Sequence, residues 1–472
     1  MNFLELLQSL NCYISLSRKA WIEETDDITV FICKADKRIK LSEEFLVLKS
    51  YILRLSQSPE ALSSITDNII EEHSFMVLPL FYSLISFLDK NGLMTYSIPE
   101  VLDVNPLSEY ALRTEKNIDV YAEYSLSRFA FLRNENDGIQ LETSLNPVIA
   151  KIHDARFVNA LFSQRGIRLI SNKSDDDKIE NYQYENVADF DNFQAALKLL
   201  YLFLFISDGN SEDDSLKQWE FHDLLIHGRS RYGRNAQNYG ATYRFSETIK
   251  CLPPVKEPPA NVQPVILEKP DIEIFKANSP CFFEITEKRF SAREFSQEPI
   301  TLKQLGDLLY LTSRVKSIGF DTFHEISKRP YPGGGSIYEL EIYITALNCN
   351  GLDKGVYYYD PSQHYLYAVS KITASVQKMI LNAQGASKCK EIQVLLTISA
   401  RFQRVSWKYE AIAYSLILKN TGVLFQNISL AATAMDIGSC ILGSGDSDAL
   451  SEVLGKKFYE EAAVGEMILG AI

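Results

Sequence analysis

The chain has 472 residues, 46% of them apolar and 23% charged, which is the make-up of a folded protein with material for about three domains. Its net charge of −13, from 48 Lys+Arg against 61 Asp+Glu, excludes a general nucleic-acid binder, because such a protein needs a basic surface to displace counterions. The seven cysteines, Cys12, Cys33, Cys251, Cys281, Cys349, Cys389 and Cys440, lie too far apart for a zinc knuckle, and the six histidines show no ligand spacing, so no metal is expected; free thiols in a reducing cytoplasm are the expectation.

The N-terminal "MNFLELLQSLNCYISLSRKA" has no basic start before an apolar run and no clear cleavage site. "SPEALSSITDNII" has helical apolar spacing behind a candidate cap, Ser58. The run "FMVLPLFYSLISFL" (75–88) is too short to span a bilayer and is closed by Asp89 and Lys90, so it reads as a buried helix and no membrane association is expected. "NGL" (91–93) then turns into a strand, "MTYSI". Helix, helix, turn, strand is the order of a winged-helix unit. Residues 101–210 are expected to repeat that plan, with "DNFQAALKLLYLFLFIS" (191–207) as the late helix. Since the charge opposes DNA binding, such units suit a peptide added as a strand to a sheet edge. The plain alternative is that they only pack against the rest.

The acidic stretches 171–186 and 207–215 read as loops. Residues 252–270 hold six of the chain's 16 prolines, so an extended arm is expected there. Beyond it helices and strands alternate. "LKQLGDLLYLTSRV" (302–315) is helical, "YELEIYITAL" (338–347) is a strand, and "GVYYYDPSQHYLYAVS" is two strands around a turn. "IQVLLTISA" (392–400) is a central strand, and helices follow at 409–420 and 422–435. The fold class is therefore α+β, with expected divisions 1–100, 101–210, 211–270 and 271–472.

Three short motifs could carry chemistry. In "EKRFSAREF" the alternating Arg289, Ser291 and Arg293 can converge on an anion; by spacing alone they are as well read as a solvated charged stretch. In "RPYPGGGSIYELEIY" the glycines Gly333, Gly334 and Gly335 permit close approach of backbone to a flat or charged ligand, or form an ordinary loop; this is neither a Walker loop nor a dinucleotide turn. In "RVSWKYEAIAYSL" Lys408 and Tyr409 fall at an expected helix start with Ser406 as cap candidate. There the helix dipole and partial burial would ease loss of the lysine's proton and make it a general base; a surface lysine beside a core tyrosine is the plainer reading.

Together these motifs, with "GLDKGVYYYDPSQHYL" and "WKYEAIAYSLILKNTGVLFQNISLAATAMDIG", resemble the azoline oxidases of the nitroreductase superfamily, with the cyanobactin oxidases as the nearest group. "WEFHDLLIHGRSRYGRNAQNYGATYRF" (219–245) is similar to the segment that precedes their catalytic domain, so the resemblance covers roughly 219–472. It implies a nitroreductase-like domain with a mostly antiparallel sheet flanked by helices, preceded by two winged-helix-like peptide clamps. It implies an FMN-dependent oxidase that aromatises thiazolines, with oxazolines left open as a second substrate, in a ribosomally made peptide, with O2 reoxidising the flavin.

The resemblance also assigns roles. Arg289, Ser291 and Arg293 match the element that holds FMN. Gly333, Gly334 and Gly335 line the flavin where relatives often carry Ser, and Leu442 and Gly443 in "CILGSGD" bring backbone near its ring. Lys408 and Tyr409 match the catalytic pair, with Lys408 taking the α-proton as hydride leaves the β-carbon, and Tyr409 orienting the ring or relaying a proton. The chain ends "GEMILGAI", without the late basic residues that many nitroreductases direct at the FMN phosphate; contacts are expected from 289–293 or from "HGRSRYGR" (227–234). Expected partners are the azoline-containing precursor peptide, a second copy of the chain through helix 422–435, and the cyclase of the same pathway. The alternatives are an NAD(P)H-dependent nitro or flavin reductase and a non-catalytic peptide-docking scaffold.

Overall fold

The computed structural model describes residues 7–18, 20–24, 30–34, 37–108, 110–112, 123–135, 138–162, 167–168, 187–207, 212–235, 238–443 and 445–472. The chain divides into two compact units, Met1–Gln237 and Asn238–Ile472. Stretch 171–186 and residues 208–211 lie outside the described residues, and the end of the second expected loop instead enters a short helix, Asp214–Lys217.

In the first unit seven strands form one sheet in the order Glu60–Ala61, Tyr13–Leu16, Met94–Ile98, Leu102–Pro106, Val148–Ile152, Gly138–Thr143, Ala130–Glu135. Strand Met94–Ile98 appears where the alternation placed it, and it pairs directly with Leu102–Pro106. The sheet is thus continuous through residue 100, where a domain division was expected. Three-residue connection 99–101 is too short to do anything but fold one strand back on the next. Ser58 does not cap the following helix: Leu62–Glu72 starts behind Ala61, and Ser58 closes the preceding helix Lys49–Gln57. Late helix Val187–Leu202 gives way to a short strand at Ile206–Ser207.

The second unit carries the chemistry-bearing motifs. Its elements are β1 (Val265–Ile266), α1 (Ile272–Asn278), α2 (Phe282–Lys288), α3 (Leu302–Ser313), β2 (Ser317–Phe320), β3 (Glu325–Lys328), β4 (Leu340–Ala346), β5 (Gly355–Asp360), β6 (Tyr365–Ser370), α4 (Ala374–Ser387), β7 (Val394–Arg401), α5 (Phe402–Ser406), α6 (Ala413–Ala434), β8 (Ile437–Leu442), α7 (Ser447–Leu454) and β9 (Glu461–Ala471). Seven strands form an antiparallel sheet ordered β1-β6-β5-β4-β7-β9-β8, and β2 and β3 form a separate hairpin.

Strand β7 explains why its sequence is almost unbroken apolar. Val394, Leu396, Ile398 and Ala400 face a core shared with α3 and α6, while Leu395 faces a second core shared with α4 and α7. A strand covered on both sides has no face left for alternation. Each fully buried large aliphatic side chain here contributes roughly 1.5–3 kcal/mol.

Two expectations change. The helices expected at 409–420 and 422–435 are one 22-residue helix, α6. Gly422 does not interrupt it, because a single glycine in a helix interior costs only about 1 kcal/mol, less than its packed face returns. The start of that helix also lies at Ala413, so Lys408 and Tyr409 sit in the turn between α5 and α6. Ser406 caps nothing: its hydroxyl donates to the Phe402 carbonyl.

The proline-rich segment has a single short strand, β1, and is otherwise held by side chains reaching out of the core. Arg401 donates to the Pro253 carbonyl and Arg329 to that of Pro254, each at 2.8 Å. Lys256 pairs with Glu461 at 2.6 Å. Prolines give up their own donors, so an arm rich in them is fixed through its carbonyls.

Candidate active site

The turn carrying Lys408 and Tyr409 is pinned by a neighbouring segment. The amides of Thr242 and Tyr243 donate to the Lys408 carbonyl at 3.0 and 3.2 Å, and the Glu410 amide donates to Gly240 at 3.1 Å. Glu410 is tied further by the Thr242 hydroxyl and by Arg244. The Trp407 indole donates to the Ile249 carbonyl at 2.6 Å. Backbone geometry around the pair is thereby settled from both sides, as a preorganised site requires.

The glycine loop meets this turn. Lys408 Nζ donates to the Gly335 carbonyl at 3.3 Å. Gly335 has φ +61, and a Cβ there would stand 2.3 Å from Tyr409 Oη. At Gly334 a Cβ would stand 2.6 Å from Leu416, and its amide donates to Asn420 at 3.2 Å. These contacts account for glycine at positions where a serine was the alternative: the loop packs too tightly for a side chain. Lys408 is only 6% exposed.

Residues that the sequence did not single out complete the surroundings. The Asp321 carboxylate lies 3.6 Å from Lys408 Nζ. The Thr322 amide, and further the lysine's charge, hold that carboxyl below the usual range. His324 is buried, and neither of its ring nitrogens has a hydrogen-bond partner. Its ring packs on Trp407 at 5.5 Å and near Tyr243 at 6.2 Å. Burial first, then the cations of Lys408 and Arg404, push the imidazole below its ordinary value. Nothing in the sequence marks a lone histidine or aspartate in a hairpin turn as part of a site.

Arg404, fully buried, ties the parts together. It donates to the carbonyls of Ile337 after the glycine loop (2.8 Å), Glu325 at the start of β3 (2.7 Å), and Leu252 in the arm. Burial pulls the guanidinium down to about 10.

The other expected site residues lie elsewhere in the unit. Arg293 and Ser291 are exposed and Arg289 half-exposed, on a segment that runs beside β8: the Ala292 amide donates to the Ser439 carbonyl at 3.0 Å. Among the described residues no ion pair or hydrogen bond joins them to the glycine loop or to Lys408. Leu442 is buried at the end of β8, and Gly443 follows it with open space where a Cβ would stand. Next to that point Glu466 on β9 is buried with neither oxygen in a hydrogen bond of good geometry, and burial raises its carboxyl to about 7. Of the three arginines of 227–234, two are engaged inside the first unit, Arg229 pairing with Glu142 at 2.6 Å and Arg234 donating to the Ser144 carbonyl, while Arg231 is exposed. Those two contacts satisfy polar groups of that unit.

Helix α6 is amphipathic. Leu424, Phe425, Ile428 and Ala432 are in the core, while Tyr414, Leu418 and Val423 are exposed, as are Phe282, Phe283 and Phe290 around α2. Among the described residues no helix is long and apolar enough to cross a membrane, and no group of side chains could hold a metal ion.

The family model described as cyanobactin oxidase ThcOx matches residues 124–236, and the nitroreductase family model matches residues 286–471. The first match begins well ahead of residue 219, where the motif resemblance started. A Methanocaldococcus jannaschii protein named as a nitroreductase is 27% identical over 194 residues, 41% of this chain and 91% of that protein. The microcin B17-processing protein McbC of Escherichia coli is 27% identical over 109 residues, 22% of this chain and 40% of McbC. A crystal structure named for a nitroreductase of Anabaena variabilis is 20% identical, with a TM-score of 0.37, covering 52% of this chain and 45% of that one.

Proposed function

We propose that this chain, which matches the cyanobactin oxidase and nitroreductase family models and is similar to McbC, aromatises azoline rings in a ribosomally made peptide, with thiazolines as the first substrate and FMN as cofactor. The observation that carries the reading is the meeting of the Lys408–Tyr409 turn with the Gly333–Gly335 loop in a nitroreductase domain.

The residues fit a flavin in two respects. A side-chain-free loop at Gly334 and Gly335 suits a flat group, and Arg289 and Arg293, in none of the ion pairs among the described residues, suit a phosphate. Bound there, FMN would supply a two-electron acceptor that O2 then reoxidises. The protein's own part is positional and acid–base. Lys408 takes the proton from the α-carbon of the ring, and Tyr409 beside it orients the ring or relays a proton. Leu442 and Gly443 lend backbone to the cofactor side. The first unit would hold the peptide, for which the outer strand Ala130–Glu135 of its sheet offers an edge. A second copy of the chain would cover the exposed stripe of α6.

Mass spectrometry of an azoline-containing peptide after aerobic incubation with the FMN-loaded protein tests the reading. A loss of about 2 Da per ring, two hydrogens, supports it. An unchanged peptide with NADH consumed would favour the small-molecule reductase, the reading to which the archaeal relative lends weight.

A further inference from the structure

The hairpin β2–β3 stands apart from the main sheet, yet its tip reaches the candidate site. Every residue of β2 is exposed, and the hairpin is held through β3, where Ser327 is buried and the Glu325 carbonyl accepts from Arg404, and through its tip. At the tip Phe323 packs on Tyr243 at 4.6 Å, and His324 packs on Trp407. These contacts place Asp321 at 3.6 Å from Lys408 Nζ. It is the one carboxylate within ion-pair distance of that lysine among the described residues. Asp321 keeps 38% of its side chain exposed while Lys408 keeps 7%, so the carboxylate faces both the buried amine and the solvent.

The groups around Lys408 are few. From the hairpin come Asp321 and His324, from the 238–251 segment Tyr243 and Cys251, and from its own turn Tyr409 and, further back, Arg404. The Cys251 thiol is pushed up by burial and His324 is pushed down, so both are neutral near neutral pH. Asp321 is left as the anion that answers the lysine.

We infer that Asp321 is a positioning residue for Lys408: it holds Nζ against the Gly335 carbonyl, and its charge favours the ammonium that forms when that lysine accepts the substrate's proton. The inference rests on Lys408 acting as general base. An anion at ion-pair distance favours the ammonium formed when the α-proton is taken. His324 is the neutral wedge that seats the tip, and its free nitrogens add no competing charge.

The test is an NMR titration of the full chain labelled with 13C at lysine Cε, with Lys408→Arg to assign the resonance, beside a kcat/KM pH profile on an azoline peptide. In Asp321→Asn the Lys408 midpoint is expected to fall by about one pH unit, and the acidic limb of the profile to move with it. Asp321→Glu is expected to restore most of both. A midpoint unchanged in Asp321→Asn overturns the inference, and the NMR reads this even if the protein oxidises no azoline. A midpoint that falls while the acidic limb stays in place leaves the hold of Asp321 on Lys408 standing and overturns the base assignment instead.

Discussion

Gly335 and Tyr409 are in such close contact that a single methyl group between them has no room: a Cβ on the glycine would stand 2.3 Å from the tyrosine oxygen. Gly335→Ala therefore moves one of the two, and its φ of +61 adds strain of about 1 kcal/mol. The expected outcome is a melting temperature lower by about 3 °C, together with a larger loss of turnover than that small destabilisation explains. Turnover and melting both at the wild-type level would show that the loop has slack that the structure does not contain.

Lys408→Ala is expected to lower azoline oxidation by about 100-fold or more, the usual scale for a positioned general base, while the flavin absorbance of the purified protein is unchanged. Loss of flavin in the same variant would instead make the lysine a cofactor ligand.

Arg404→Lys tests the anchoring of three segments by one guanidinium. A lysine serves one of the carbonyls of Ile337, Glu325 and Leu252 and leaves the others buried without a donor. The cost is about 2–4 kcal/mol, read as a fall of several degrees in thermal melting. A wild-type melting curve would mean that water reaches those carbonyls.

Glu466 gives a pH dependence of stability. Its carboxyl lies at about 7, above the ordinary 4.5, so the folded chain holds a proton there that the unfolded chain releases. The contribution is fully present below 4.5 and is lost as pH rises through about 7, on the order of 3 kcal/mol in all. Glu466→Gln should melt close to the wild type at pH 5 and above it at pH 8.5. Equal melting at both values would place the ionised carboxylate in a solvated setting.

Val423→Asp places a charge on the exposed stripe of α6, between Leu418 and the core-facing Leu424. If a second copy covers this stripe, light scattering after gel filtration should show a dimer for the wild type and a monomer for the variant, because a buried unpaired charge is costly. A wild type that is already monomeric would end the dimer reading.

Much of the second unit was legible in the sequence because burial leaves a local imprint. Helix α3, the pair β5 and β6 with their turn, and β7 lie within a few residues of where the apolar patterns put them. A pattern of side chains reports only which face is covered, so it gave element type but not extent, and α6 was read as two helices.

The chain itself therefore determined the α+β class, the acidic character and the order of the motifs, all of which follow from composition and from spacing along the backbone. Only the tertiary structure decided what surrounds the lysine. Gly335 is 73 residues away in sequence from Lys408, and Asp321 and Tyr243 come from two further segments. The same structure moved Lys408 out of a helix N-terminus into a pinned turn and set an anion beside it. Contacts of that kind depend on how loops close over a packed sheet, and loop closure leaves no periodicity for the sequence to display.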